Sequence, residues 1–144
     1  MVDAYVVDAS IVAKWFNRGE EFEKESDGLR RAWVNNEIQL DAPAHLPFEV
    51  ANSIWKNPNI SVRKAGSLAK VLVEVSPKLH DLTDFLAEQA MSIARRKSVT
   101  FCDASYLALA KFLSSRLITV DSHQLRIASG YVAASHLADL PEIG

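Results

Sequence analysis

Cysteine is nearly absent from this chain. Cys102 is the only one in 144 residues, which excludes an internal disulfide and fits a reducing compartment such as the cytoplasm. No apolar run approaches the roughly 18 residues of a membrane span, and the opening MVDAYVV lacks the basic flank and cleavage site of a signal peptide. The expectation is a soluble, cytoplasmic protein with no membrane partner. Glycine is sparse: the five at 19, 28, 66, 130 and 144 form neither a Walker A loop nor GxGxxG, which argues against a nucleotide cofactor. His45, His80, His123 and His136 stand apart, with no HExxH or CxxC to build a zinc site, and no GxSxG surrounds a serine. Basic residues are not in excess either. Lys and Arg number 16 against 18 Asp and Glu, so the net charge of -2 gives no sign of a basic nucleic-acid binder. If several acids were committed to a metal ion, the remaining charge would turn weakly positive, and a nucleic-acid partner stays open.

What is present is apolar residues in short runs. At 144 residues and 49% hydrophobic content, a single domain spanning 1–144 should bury roughly two-thirds of its unfolded surface. Tyr5 to Val7 predicts a strand, and Ile11, Val12, Trp15 and Phe16 recur at helical spacing after it. Residues 20–36 predict a charged surface helix and Ile38 to Leu40 a second strand closed by Pro43. A helix opening at Pro47 runs through Trp55 until NPN at 57–59 breaks it, and 62–75 is helical again. Leu86, Ala90 and Ile93 mark a helix ending in ARRK, and Tyr106, Leu109, Ala110 and Leu113 mark one starting at Asp103. LITV at 117–120 predicts a buried strand, a helix follows through Ala128, and YVAA predicts an edge strand. Short strands alternating with helices point to an α/β domain with a mostly parallel sheet.

Three apolar runs stop at an acid: VVDAS at 6–10, FCDAS at 101–105 and TVDSH at 119–123. Two explanations stay open. Asp8, Asp103 and Asp121 each precede a helical pattern, so each could be a helix cap. Ligands of open α/β sheets also sit beyond the carboxyl ends of the strands, so the three could converge on one site. Glu49 joins them as the only charged side chain in LPFEVANSIW, 46–55, where it shares a narrow polar sector with Asn52 and Ser53. Its place in a first helical turn is also ordinary helix electrostatics. Four carboxylates brought together repel unless neutralised, and oxygen-only ligation suits Mg²⁺ or Mn²⁺. Such a set implies metal-assisted phosphodiester chemistry.

VVDASIVAKWF, PFEVANSIWK, TFCDASYLALA and LITVDSHQL together resemble the PIN-domain ribonucleases, and most of all the VapC-type toxins of toxin-antitoxin pairs. The resemblance runs nearly end to end. It implies a three-layer α/β/α fold on a parallel sheet of about five strands. It also implies a metal-dependent endoribonuclease in which Asp8, Glu49, Asp103 and Asp121 are catalytic and bind Mg²⁺ or Mn²⁺. Ser10 and Thr100 fall at supporting positions near the metal. RNA is the implied substrate, with 5′-phosphate and 3′-hydroxyl ends as products. The implied partners are a VapB-type antitoxin, across the segment of Phe48 and Trp55, and a second copy of the chain in a homodimer. Cys102 stands where such proteins often have an aromatic residue. The rival reading is a non-catalytic PIN-like module whose acids are caps and which works by binding a protein.

Overall fold

The computed structural model describes residues 2–140. Five strands, β1 (Asp3–Val7), β2 (Ile38–Pro43), β3 (Lys78–His80), β4 (Arg116–Thr119) and β5 (Ala134–His136), form one sheet in the order β3-β2-β1-β4-β5. Every pairing is parallel, with Tyr5 of β1 in register with Leu40 on one side and Arg116 on the other. Among the described residues there are also seven α-helices, α1 (Ala9–Phe16), α2 (Glu23–Val34), α3 (Leu46–Lys56), α4 (Val62–Glu74), α5 (Asp84–Lys97), α6 (Phe101–Leu113) and α7 (Ser122–Ala128), and a short 3-10 helix at Leu137–Asp139. Because parallel crossovers are right-handed, the leftward steps from β1 to β3 put α1–α4 on one face, and the rightward steps to β4 and β5 put α5–α7 on the other. None of the described helices is long and apolar enough to cross a membrane.

The core lies on both sides of β1. Val6, Val7, Leu40, Leu117 and Ile118 of the central strands are sealed from solvent, as are Ile11 and Val12 of α1 and Leu107 and Leu109 of α6. Central strands covered on both faces read as continuous apolar runs, which is why YVV and LI stand out in the sequence. Each such side chain contributes about 1.5–3 kcal/mol through burial.

The structure differs from the sequence expectation at four points, each for a local reason. α6 begins at Phe101, because the Thr100 hydroxyl accepts the Asp103 N–H at 3.1 Å and takes the capping role. α3 begins at Leu46, so Pro47 is its second residue. β5 starts at Ala134, because the N–H groups of Tyr131 and Val132 are spent on Ala128 O in the turn at Gly130. β3 has no sequence signal: KLH is short, largely exposed and held by backbone pairing with β2.

Candidate metal centre

β1 delivers Asp8 one residue past its end, at the middle of the sheet's carboxyl edge. Asp8 occupies the cap position of α1, yet its side chain makes no capping hydrogen bond. Its Oδ2 instead accepts the Ser10 hydroxyl at 2.9 Å and the Thr119 hydroxyl at 2.6 Å. Thr119 closes β4, the strand beside β1, and its Oγ1 also accepts the Asp121 N–H at 3.0 Å. One buried hydroxyl therefore ties the first acid to the backbone of the fourth. Asp8 is only 7% exposed, and among the described residues no Lys, Arg or His pairs with it. Burial pushes its carboxyl up to about 6, the two hydroxyls pull down, and the charges of Glu49 and Asp121 push up further.

Glu49 lies in the first turn of α3, which rises from the end of β2. Its Oε1 accepts the Tyr106 hydroxyl of α6 at 2.9 Å, a bond that reaches round the end of the sheet from the opposite layer. His45 Nε2 stands 2.8 Å from the same oxygen, though outside hydrogen-bond alignment, and the His45 ring meets Tyr106 edge-on at 5.2 Å. Tyr106 is fully buried, and burial beside the Glu49 charge holds its hydroxyl far above the ordinary tyrosine range, so it stays a donor. Asp103 is the third residue of α6. Burial raises its pKa, Thr100 opposes this, and Glu49 and Asp121 add to the rise. Asp121 is the one acid of the three that caps by its side chain, accepting the His123 N–H at 2.9 Å.

The charges of Glu49 and Asp121 thus act on both Asp8 and Asp103 at this edge of the sheet. No three His, Cys, Asp or Glu side chains among the described residues stand in ligating reach of a single point. Asp8, Glu49 and Asp121 each accept a hydrogen bond from a protein donor. The donors are all oxygen, the chemistry that suits Mg²⁺ and Mn²⁺.

A family model described as PIN domain matches residues 5–130. The chain belongs to the PIN-domain family. Ribonuclease VapC3 of Pyrobaculum aerophilum is 29% identical over 121 residues, covering 81% of this chain and 88% of that protein. Among solved structures, VapC20 of Mycobacterium tuberculosis, titled a sarcin-ricin loop cleaving toxin, superposes with a TM-score of 0.68 at 19% identity, over 89% of this chain and 96% of that one. A toxin-antitoxin complex from Klebsiella pneumoniae gives 0.67 at 16% identity, over 94% and 99%. At these identities the two structures establish the fold, a three-layer α/β/α PIN domain.

Four residues of this PIN domain escaped the sequence reading: His45, Tyr106, Thr119 and Gln124. Tyr106 was legible only as one more member of the α6 apolar stripe, since nothing in FCDASYLALA marks its hydroxyl as different. Thr119 had a usable signal, a hydroxyl two residues before Asp121. Gln124, 1% exposed, donates to Asp103 O at 3.1 Å while its Oε1 has no partner, and a buried glutamine inside SHQLRIA carries no mark in sequence.

Proposed function

We propose that this PIN domain is an endoribonuclease whose hydrolysis of RNA depends on Mg²⁺ or Mn²⁺, and that it is the toxin of a VapBC-type pair. The observation that carries the reading is Asp8, a buried carboxylate with no Lys, Arg or His paired to it among the described residues, on which the charges of Glu49 and Asp121 also act. An isolated buried charge is costly, and a divalent ion would restore the charged form. Asp8, Glu49 and Asp103 would hold that ion, with Asp121 supporting it. When bound it supplies Lewis acidity and positive charge for attack of water on a phosphodiester.

The chain's own residues do the positioning. Ser10 and Thr119 both hold Oδ2 of the Asp8 carboxylate, leaving Oδ1 without a donor among the described residues. Tyr106 holds Glu49 from the opposite layer, and Thr100 fixes the first turn of α6 that carries Asp103. RNA as substrate is supported by the ribonuclease relative and agrees with a cytoplasmic location. An antitoxin partner is supported by the toxin-antitoxin neighbours and by Phe48 and Trp55, which stand 75% and 77% exposed on α3. A homodimer is part of the same reading.

Purified protein freed of any partner should cleave RNA in millimolar Mg²⁺ or Mn²⁺ and stop in EDTA. Asp8→Asn and Asp103→Asn should each lower the rate by at least about a hundredfold, as loss of a group acting on the reacting phosphate does. Cleavage undiminished after verified metal removal would sink the metal mechanism. Stable RNA with intact partner binding would favour the non-catalytic module.

A further inference from the structure

Beside the acids lies a cavity of about 230 Å³ that the site chemistry leaves unused. Leu82, Leu86, Phe101 and Leu109 give it an apolar wall, and His45 and His80 give it polar, aromatic edges. It touches the acidic edge at two places. His45 is the residue whose Nε2 lies 2.8 Å from Glu49, and the wall includes Cys102, the neighbour of Asp103. His80 is locked from behind: its Nε2 lies 2.7 Å from Asp41, which is 7% exposed. That pairing fixes the ring and leaves Nδ1 as its remaining polar atom.

We infer that this cavity receives one unstacked nucleobase of the RNA next to the scissile phosphate, and so sets which nucleotide is preferred there. The inference rests on the endoribonuclease reading and adds its specificity element. Size favours a base: clefts for drug-sized ligands run to about 300–1,000 Å³, so this one suits a single planar ring and not the side of a helix. Chemistry favours a base as well. Proteins read RNA sequence on splayed single-stranded bases, through aromatic stacking and a few hydrogen bonds to the base edge. Phe101, His45 and His80 supply rings and His80 Nδ1 supplies a polar atom, while the Ser105 hydroxyl is already donated to Phe101 O at 2.8 Å. A phosphate held at Glu49 and Asp103 would place its neighbouring nucleotide at the mouth.

The test uses the full chain, a short single-stranded oligoribonucleotide carrying one mapped cleavage site, and copies of it with each base in turn replaced by an abasic ribose. One abasic position beside the cut should raise KM by roughly 5- to 150-fold, the range for loss of one stacked base, and the others should change little. Leu82 is 59% exposed, so Leu82→Trp can fill the mouth without disturbing the core. In that variant the intact and abasic substrates should be cleaved with the same raised KM. Leu82→Ala should show a reduced abasic penalty, with melting temperatures confirming that both variants fold. Equal KM for all abasic substrates with wild type, or an unchanged abasic profile in Leu82→Trp, overturns the base pocket while leaving the nuclease intact. Weakened binding of the inhibitory partner by Leu82→Trp, with RNA cleavage unaltered, assigns the cavity to the partner and also overturns it. If wild type cleaves no RNA with either metal, the nuclease reading itself fails and the base pocket goes with it.

Discussion

Asp8 shows what one position has to reconcile. Its carboxyl is held at about 6 against 3.8 for an ordinary aspartate, mainly by burial. Below the lower value the proton is bound in both folded and unfolded chains. Between the two, only the folded chain keeps it, so stability falls as pH rises through this window and levels off above the folded value. A shift of this size corresponds to about 3 kcal/mol. In EDTA, the melting temperature of wild type should therefore lose a component between about pH 4 and pH 7 that Asp8→Asn does not lose. Millimolar Mg²⁺ at neutral pH should raise the melting temperature of wild type through binding to the folded state, and that of Asp8→Asn much less. Thermal unfolding of both proteins across this range checks it. Superimposable pH profiles would mean that Asp8 is no more than an ordinary helix start, for which Asn serves about as well.

Among elements, α6 depends on its first turn. Thr100 caps it, and Asp103 sits three residues further on, so Thr100→Ala should cost about 1 kcal/mol of stability and lower RNA cleavage by loosening Asp103. Thr100→Ser should keep both, because the hydroxyl is what matters; denaturant melts and initial rates on one RNA separate the two variants. This cap also explains what sequence could and could not reveal. The buried central strands were legible because YVV and LI must be apolar on both faces. The four acids stood out as candidates because each interrupts an apolar segment. The boundary at Phe101 was not, since Thr100 and Asp103 are both good first-turn residues and only coordinates show which one caps. β3 was invisible because an edge strand of three residues needs backbone partners more than side-chain pattern. Tyr106 and His45 were illegible as site residues for another reason: their role is a contact between layers, with Tyr106 and Glu49 57 positions apart in the chain.

For the whole molecule, the exposed Phe48 and Trp55 stand seven residues apart on the helix that carries Glu49, and we take them as the surface for the proposed antitoxin. Phe48→Ser and Trp55→Ser should leave stability within about 0.5 kcal/mol, as expected at surface positions. Each should weaken binding of the proposed antitoxin by tenfold or more, on the scale of an aromatic hot spot, with RNA cleavage unaltered. Titration of the purified partner reads this directly, and unchanged affinity would move the partner elsewhere. The order of the strands carries a further consequence. β1 is made first but lies in the middle, and its second neighbour, β4, arrives more than a hundred residues later, bringing the Thr119 that bonds Asp8. Until that strand pairs, Asp8 has the Ser10 hydroxyl but not the Thr119 hydroxyl, and Asp121 is missing from the edge. The acidic edge is in this way completed only once strands more than a hundred residues apart have paired, so the site is assembled late in folding.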